Sequence, residues 1–451
     1  MSNRILIKDG KLVTSEDVFT ANVLIENQKI ITITEHESFE ADRVFNAEGK
    51  LVLPGLVDPH VHLGYGRHPD DFDSETAAAA IGGVTTVISY NWVNDDYSEW
   101  FYKNRQVGEN LAHIDFAFHF GLINRDHIEN LEHLRNEFGV TSYKFYMQYM
   151  NNPGLKKNIV LNYADMYHAF DNAGSLSDLK ICVHCEDPDL IERFSNQMRD
   201  IDEPQAWLNS RPGFTEARGV QAALDFACQT SANCYLVHIS AKESVDLIRR
   251  HHLRDPKKCI WTETCPHYLT LTYNDMQGAL GKVNPPLRTK EDIEILWSAI
   301  SDDIIDTIGS DHIARSKEDK KGGIWNAKAG FPGSYAILPV MFSEGHLNRG
   351  LSLSRLVSLT STNAARIFGL YPNKGCLMPG ADADLVIIDP QKEIQLTSKQ
   401  LPSGSEYSLY ENMSFRGWPL AVLSRGKFVV ENYIFKGSSG HGRYLERHKG
   451  T

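Results

Sequence analysis

Between residues 51 and 370 the chain alternates short apolar runs with longer helical patterns, and this alternation restricts the fold more than any other feature. The runs are "GLVDPHVHL", "TTVISYN", "DFAFHFGLI", "SYKFYMQY", "KICVHCED", "CYLVHISA", "CIWTETCPHYL" and "DTIGSDHI". Each is short and rich in β-branched or aromatic residues, as a buried strand is. Segments such as "SETAAAAIGG", "DHIENLEHLRNEF", "EARGVQAALDFACQ" and "KEDIEILWSAI" lie between them with helical spacing. Strands that alternate with helices build a parallel sheet. Eight such units over about 320 residues are the count of an α/β fold of the (β/α)8 type, with some long insertions. An open doubly wound sheet is the alternative. Against it, "GYGRHP" at 64–69 lacks the third glycine of a dinucleotide-binding turn.

The flanks follow another pattern. "RILIKDGKLV", "ANVLIENQKIITI" and "RVFNAEGKLVLPG" read as short strands, with Asp-Gly and Glu-Gly-Lys as hairpin signals. The same texture returns in "ADADLVIIDP" and "LSRGKFVVENYIF". Both ends are therefore expected to join in one small β-sandwich, from residues 1–54 and 373–436, beside a barrel at 55–372. The polar segment 437–451 reads as a mobile tail.

Composition sets further limits. The formal net charge of -12, with no basic cluster, speaks against a nucleic-acid partner. No run approaches the roughly 20 apolar residues that span a bilayer, and the first residues carry no secretion signature. Seven scattered cysteines, an odd number, suit reduced thiols better than a disulfide framework. A cytoplasmic protein is expected.

The strand ends carry the chemistry. His60 and His62 lie two apart on the first run, and alternation sends both to one side. The fourth run carries Lys144, the fifth His184, the sixth His238 and the eighth Asp311. In a barrel these positions face one mouth. A lone histidine at a strand end is ordinarily a satisfied core residue, and "SDH" alone suits a helix cap. Six metal-capable groups on five strands, each in an apolar setting where a polar group is costly, are not explained by packing.

On "GLVDPHVHL", "SYKFYMQY", "VHCED", "LVHIS", "GSDH" and the C-terminal "TSTNAARIFGLYPNKGCLMPGADADLVIID", the chain resembles the cyclic amidohydrolases of the amidohydrolase superfamily. These are the hydantoinases and dihydropyrimidinases, with allantoinases and dihydroorotases as close relatives. The resemblance implies ring opening of a cyclic amide, a hydantoin or dihydropyrimidine, by hydroxide activated at two divalent metals. His60 and His62 would hold the more buried ion, and His184 and His238 the more exposed one. Lys144, carboxylated by CO2, would bridge them. Asp311 would bind the first metal and act as general base, and Tyr149 would donate to the developing oxyanion. Zinc is the usual metal, and the ligand types admit manganese as well. The family assembles as homotetramers or homodimers. Relatives that have lost metal ligands serve as scaffold proteins, whereas this chain keeps all six groups.

The ring is less well marked. Allantoin, dihydroorotate or a cyclic imide could undergo the same chemistry. Dihydroorotases place an arginine two residues after the second metal histidine, where this chain has Gly64. A buried carboxylate needs such a cation, so dihydroorotate is disfavoured. The dihydropyrimidinase asparagine after strand eight is missing from "AGFPGSYAILP". Ring contacts are expected instead around Cys265 and at Asn284. Tyr65, Trp92 and Tyr146 suit a bulky apolar substituent.

Overall fold

The computed structural model describes residues 4–35, 39–66, 68–150, 161–254 and 259–447, without the side chains of Tyr149, Leu253 and Arg254. All eight apolar runs form strands of one parallel sheet: Leu56–Val61, Val84–Asn91, Asp115–Leu122, Ser142–Tyr146, Lys180–His184, Asn233–Leu236, Ile260–Thr264 and Thr307–Ile308. Each pairs with its neighbour in sequence order. The ring closes where His62 N donates to His312 O at 2.7 Å, beside a parallel bridge from Val61 to His312. The result is a (β/α)8 barrel, and its strands are buried on both faces, as near-continuous apolar runs require.

A second, mixed sheet joins the two ends of the chain. Its strands lie in residues 4–54 and 385–435, and the seam is Leu51–Pro54 antiparallel to Leu385–Ile388. It encloses an apolar core of its own, including Ile7, Val23, Val52, Leu385, Ile387 and Leu423. The expected small β-domain built from both termini is present.

Local details depart from expectation. Asp9-Gly10 is not a hairpin turn. It is a bulge inside one continuous strand, Arg4–Val13, where Asp9 takes φ +57°. Glu48-Gly49-Lys50 makes no hairpin either, because the strands on either side of it, Arg43–Asn46 and Leu51–Pro54, both run parallel to Arg4–Val13. The hairpin turn at this end is Asn27-Gln28, both at positive φ, between Val18–Glu26 and Lys29–Thr34. "DHIENLEHLRNEF" is two helices, Arg125–Glu129 and Leu131–Phe138, which meet at Asn130.

The expected mobile tail is also corrected, since residues 441–447 dock on the barrel. Phe116 N donates to Arg443 O at 2.9 Å, and Leu445 N donates to Phe116 O at 2.8 Å. The Tyr444 ring packs among Phe101, Phe116 and Phe118, and the buried Arg447 guanidinium donates to Phe118 O and Ser142 Oγ. Apolar rings and unused strand carbonyls at the barrel floor give a polar-looking segment its anchorage.

Candidate metal centre and substrate pocket

The six strand-end groups converge. His60 lies inside the first strand and His62 one residue beyond its end, so their rings share a side, 5.3 Å between centroids. Asp311 follows the short eighth strand, and its Oδ1 lies 3.1 Å from both His60 Nε2 and His62 Nε2. The ligand atoms of these three residues all fall within 4.8 Å of one another. Lys144 Nζ is 2.9 Å from His60 Nε2. His184 closes the fifth strand and faces His238, with His184 Nδ1 3.0 Å from His238 Nε2. The His60 and His238 ring centroids are 5.4 Å apart, which joins the two groups. His238 and Asp311 both sit in the left-handed backbone region, at φ +41° and +50°. Such positions cost about 1–3 kcal/mol each and persist only where the surroundings enforce them.

Buried carboxylates set which nitrogen each imidazole presents. Glu263 Oε1 accepts from His60 Nδ1 at 2.6 Å and from His238 N at 3.0 Å, and Glu263 Oε2 accepts from Tyr235 OH at 2.9 Å. Glu186 Oε2 accepts from His184 Nε2 at 2.7 Å and from Arg211 at 2.7 Å. Burial works against the Glu186 charge, but Arg211 and His184 outweigh it and hold the carboxyl at about 2. With His60 Nδ1 and His184 Nε2 taken by these carboxylates, His60 Nε2 and His184 Nδ1 are the nitrogens that face the centre. Asp58 ties the first strand to the eighth, accepting from Ser310 N at 3.1 Å, Ser310 Oγ at 2.6 Å and Ser334 Oγ at 2.7 Å.

Protonation states fit cation binding. Burial lowers His184 and His238 and pushes His62 down to about 4, so these rings are neutral near pH 7. Burial also lowers the Lys144 ammonium, which favours its neutral amine. Burial alone would raise Asp311, but His60 and His62 hold it well below the usual carboxylate range. Facing acceptors this close repel unless a proton or a cation lies between them. The grouping of His60, His62 and Asp311 therefore fits a divalent cation with nitrogen and oxygen ligands, and His184 and His238 lie beside it.

A pocket opens over the cluster. It is lined by His62, Lys144, His184, His238 and Asp311 at its base, and by Tyr65, Trp92, Tyr146, Gln148, Asn284 and Arg315 further out. The three aromatic residues singled out in the sequence are all present there. Asn284 Nδ2 donates to Gln148 Oε1 at 3.2 Å, while its buried Oδ1 has no hydrogen-bond partner among the described residues. Cys265 is fully buried outside this lining, and its carbonyl accepts from Tyr268 N at 3.1 Å. The side chain of Tyr149 lies outside the described residues.

Sequence reading missed Glu186, Glu263 and Arg315. Glu263 had a visible signal, an acid inside the apolar run "CIWTETC". Glu186 follows His184 by two residues, the spacing that places both on one side of an extended segment.

Known proteins agree with this architecture. The amidohydrolase family model matches residues 51–429. A D-hydantoinase of Geobacillus stearothermophilus is 33% identical over 98% of this chain and 96% of its own. An L-hydantoinase of Paenarthrobacter aurescens is 31% identical, covering 98% of each chain. The crystal structure of dihydropyrimidinase from Brevibacillus agri NCHU1002 superposes with a TM-score of 0.90 at 30% identity, over 100% of both chains. The chain therefore belongs to the amidohydrolase family. Within it, the chain falls among the cyclic amidohydrolases, with the hydantoinases and dihydropyrimidinases.

Proposed function

We propose that this protein hydrolyses the ring amide of a hydantoin or dihydropyrimidine at a two-metal centre. The observation that carries the reading is the convergence of His60, His62, Lys144, His184, His238 and Asp311 from five barrel strands beneath one pocket. His60, His62 and Asp311 would hold one ion, and His184 and His238 the other. The neutral Lys144 amine would attack CO2, lose a proton and become a carbamate with oxygen donors for both. Zinc or manganese suits these ligands. Bound divalent cations lower the pKa of water and polarise a carbonyl.

The protein's own groups do the rest. Asp311 would take the proton released as the amide carbonyl is attacked and return it to the departing nitrogen. Tyr149 would donate to the oxygen that gains charge, as preorganised donors do. Asn284 would offer its Oδ1, unpaired among the described residues, to a ring N–H, and Cys265 would act through the neighbouring backbone. Glu186 and Glu263 keep the imidazoles turned inward.

A substrate panel tests the reading: hydantoin, 5-substituted hydantoins of both hands, dihydrouracil, allantoin, dihydroorotate and a cyclic imide. Ring opening of a hydantoin or dihydrouracil, abolished by a chelator and restored by zinc or manganese, is expected. Less than about one metal per chain, with activity indifferent to chelation, would defeat it. Lys144→Ala should lose nearly all turnover and recover part of it with short carboxylic acids; full activity in that variant would refute the carbamate.

A further inference from the structure

Two side-chain amides meet on the pocket wall. Gln148 stands in the short turn Met147–Tyr149 that follows the Lys144 strand, and Asn284 comes from the segment between the seventh strand and the helix Lys290–Ser301. Among the residues that line the pocket they are the only carboxamides. Asn284 Nδ2 donates to Gln148 Oε1 at 3.2 Å, which uses one donor and one acceptor. Asn284 Oδ1 and the Gln148 Nε2 hydrogens are left without hydrogen-bond partners among the described residues. Turning both amides over only exchanges their roles, so in either arrangement the pair presents one donor and one acceptor. The segment that carries Asn284 is held on both sides. Lys282 O accepts from Gly330 N at 2.8 Å, Val283 O from Trp207 Nε1 at 3.0 Å, and Pro285 O from Tyr268 OH at 2.6 Å. The acceptor is therefore fixed before a ligand arrives, as a group that discriminates by hydrogen bonding must be.

A donor and an acceptor side by side match a ring edge on which a carbonyl adjoins an N–H. On the cyclic-amide reading above, on which this rests, the attacked carbonyl and the departing nitrogen face the cluster at the base of the pocket. The far edge of the ring then faces the outer wall. In a hydantoin or dihydropyrimidine that edge is the carbonyl between the two nitrogens together with the second N–H. We infer that Gln148 and Asn284 jointly read this edge, so that the enzyme selects cyclic ureides over cyclic imides and lactams of the same size. Asn284 Oδ1 accepts from the second ring N–H, and the Gln148 amide donates to the carbonyl beside it. A cyclic imide keeps that carbonyl but sets a CH2 against Asn284 Oδ1, which leaves a buried acceptor unpaired. A lactam loses both contacts.

The test compares kcat/KM for hydantoin and for succinimide, in which a CH2 replaces the second N–H at the same ring size. Each protein is characterised by its hydantoin-to-succinimide ratio, so the intrinsic reactivities of the two rings cancel between proteins. Relative to the unaltered enzyme, the ratio should fall by about 10- to 100-fold in Asn284→Leu, the worth of a buried acceptor left unpaired. It should fall by about 10-fold in Gln148→Met, because Asn284 then loses the bond that sets which way its amide points. Metal content should match that of the unaltered enzyme in both variants. If Asn284→Leu does not fold, Gln148→Met decides alone. Activity that drops equally on both rings, leaving the ratio unchanged, means that the pair only shapes the wall and overturns the inference. In that case, with hydantoin or dihydrouracil opened by the unaltered enzyme, the cyclic-amide reading stands. If the unaltered enzyme opens neither, both fall.

Discussion

Glu263 shows how much of the centre depends on a residue that touches no substrate. Its carboxylate orients His60 from the first strand and His238 from beyond the sixth. Glu263→Gln keeps the shape but loses the charge, and its amide cannot serve the His60 N–H and the His238 amide as well. Such partners are typically worth about 10- to 100-fold in metal affinity. Chelator competition on the variant should show weaker binding of that order with the thermal midpoint nearly unchanged; equal retention of metal would mean that Glu263 only packs. The histidines were legible because a period of two placed a pair of imidazoles on one side of an apolar strand. Glu263 was not, because its meaning lies in His60, 203 residues away in the chain.

At the scale of elements, the eighth strand has only Thr307 and Ile308, and the residue after it decides how closely it approaches the first and seventh. A Cβ at Gly309 would lie 2.6 Å from Glu263 Oε2 and 2.9 Å from His60 Cβ. Gly309→Ala should therefore push these strand ends apart, at a cost of about 1–3 kcal/mol. Denaturant unfolding of the metal-free protein should show the loss, and metal titration should show weakened binding; an unchanged midpoint and affinity would mean that the contact is soft. The whole "GSDH" motif has this structural logic. Gly309 permits the approach, Ser310 bonds Asp58, Asp311 faces the cluster, and His312 closes the ring through its carbonyl. Every barrel strand could be read in advance because burial on both faces leaves a continuous apolar run. Asp9-Gly10 and Glu48-Gly49-Lys50 misled because turn chemistry is local. Asp9-Gly10 is a bulge because Val18–Glu26 pairs antiparallel with the strand on both sides of it, and Glu48-Gly49-Lys50 joins two strands that both run parallel to Arg4–Val13.

At the scale of the molecule, one carboxylate binds the barrel, the terminal sheet and the tail together. Asp115, at the start of the third barrel strand, accepts from Lys374 at 2.5 Å, from Arg425 Nε at 3.0 Å and from Arg443 N at 2.9 Å. Lys374 also reaches Asp384 at 2.7 Å and Asp382 at 3.0 Å, so it stays charged despite burial. The tail continues this clasp across the barrel floor, where Arg447 meets Ser142, two residues before Lys144 on the same strand. Ser142 Oγ in turn bonds His119, whose ring stacks at 3.9 Å on Tyr90, and Tyr90 packs edge-on against His60 at 4.5 Å. A segment that reads as solvent-facing from its composition thus supports the underside of the metal site. Ending the chain at Ser439 would expose Phe116 and Phe118 and leave the Phe118 and Phe116 carbonyls without the donors they now have. Loss of one buried aromatic side chain costs about 3–5 kcal/mol, so the truncated protein should unfold at clearly lower urea than the full chain. Its metal affinity should drop as well, because the floor beneath His60 and Lys144 loosens. Matching urea midpoints for the two proteins would show the tail to be a passive cover, and a lower midpoint with unchanged metal affinity would confine its effect to the fold.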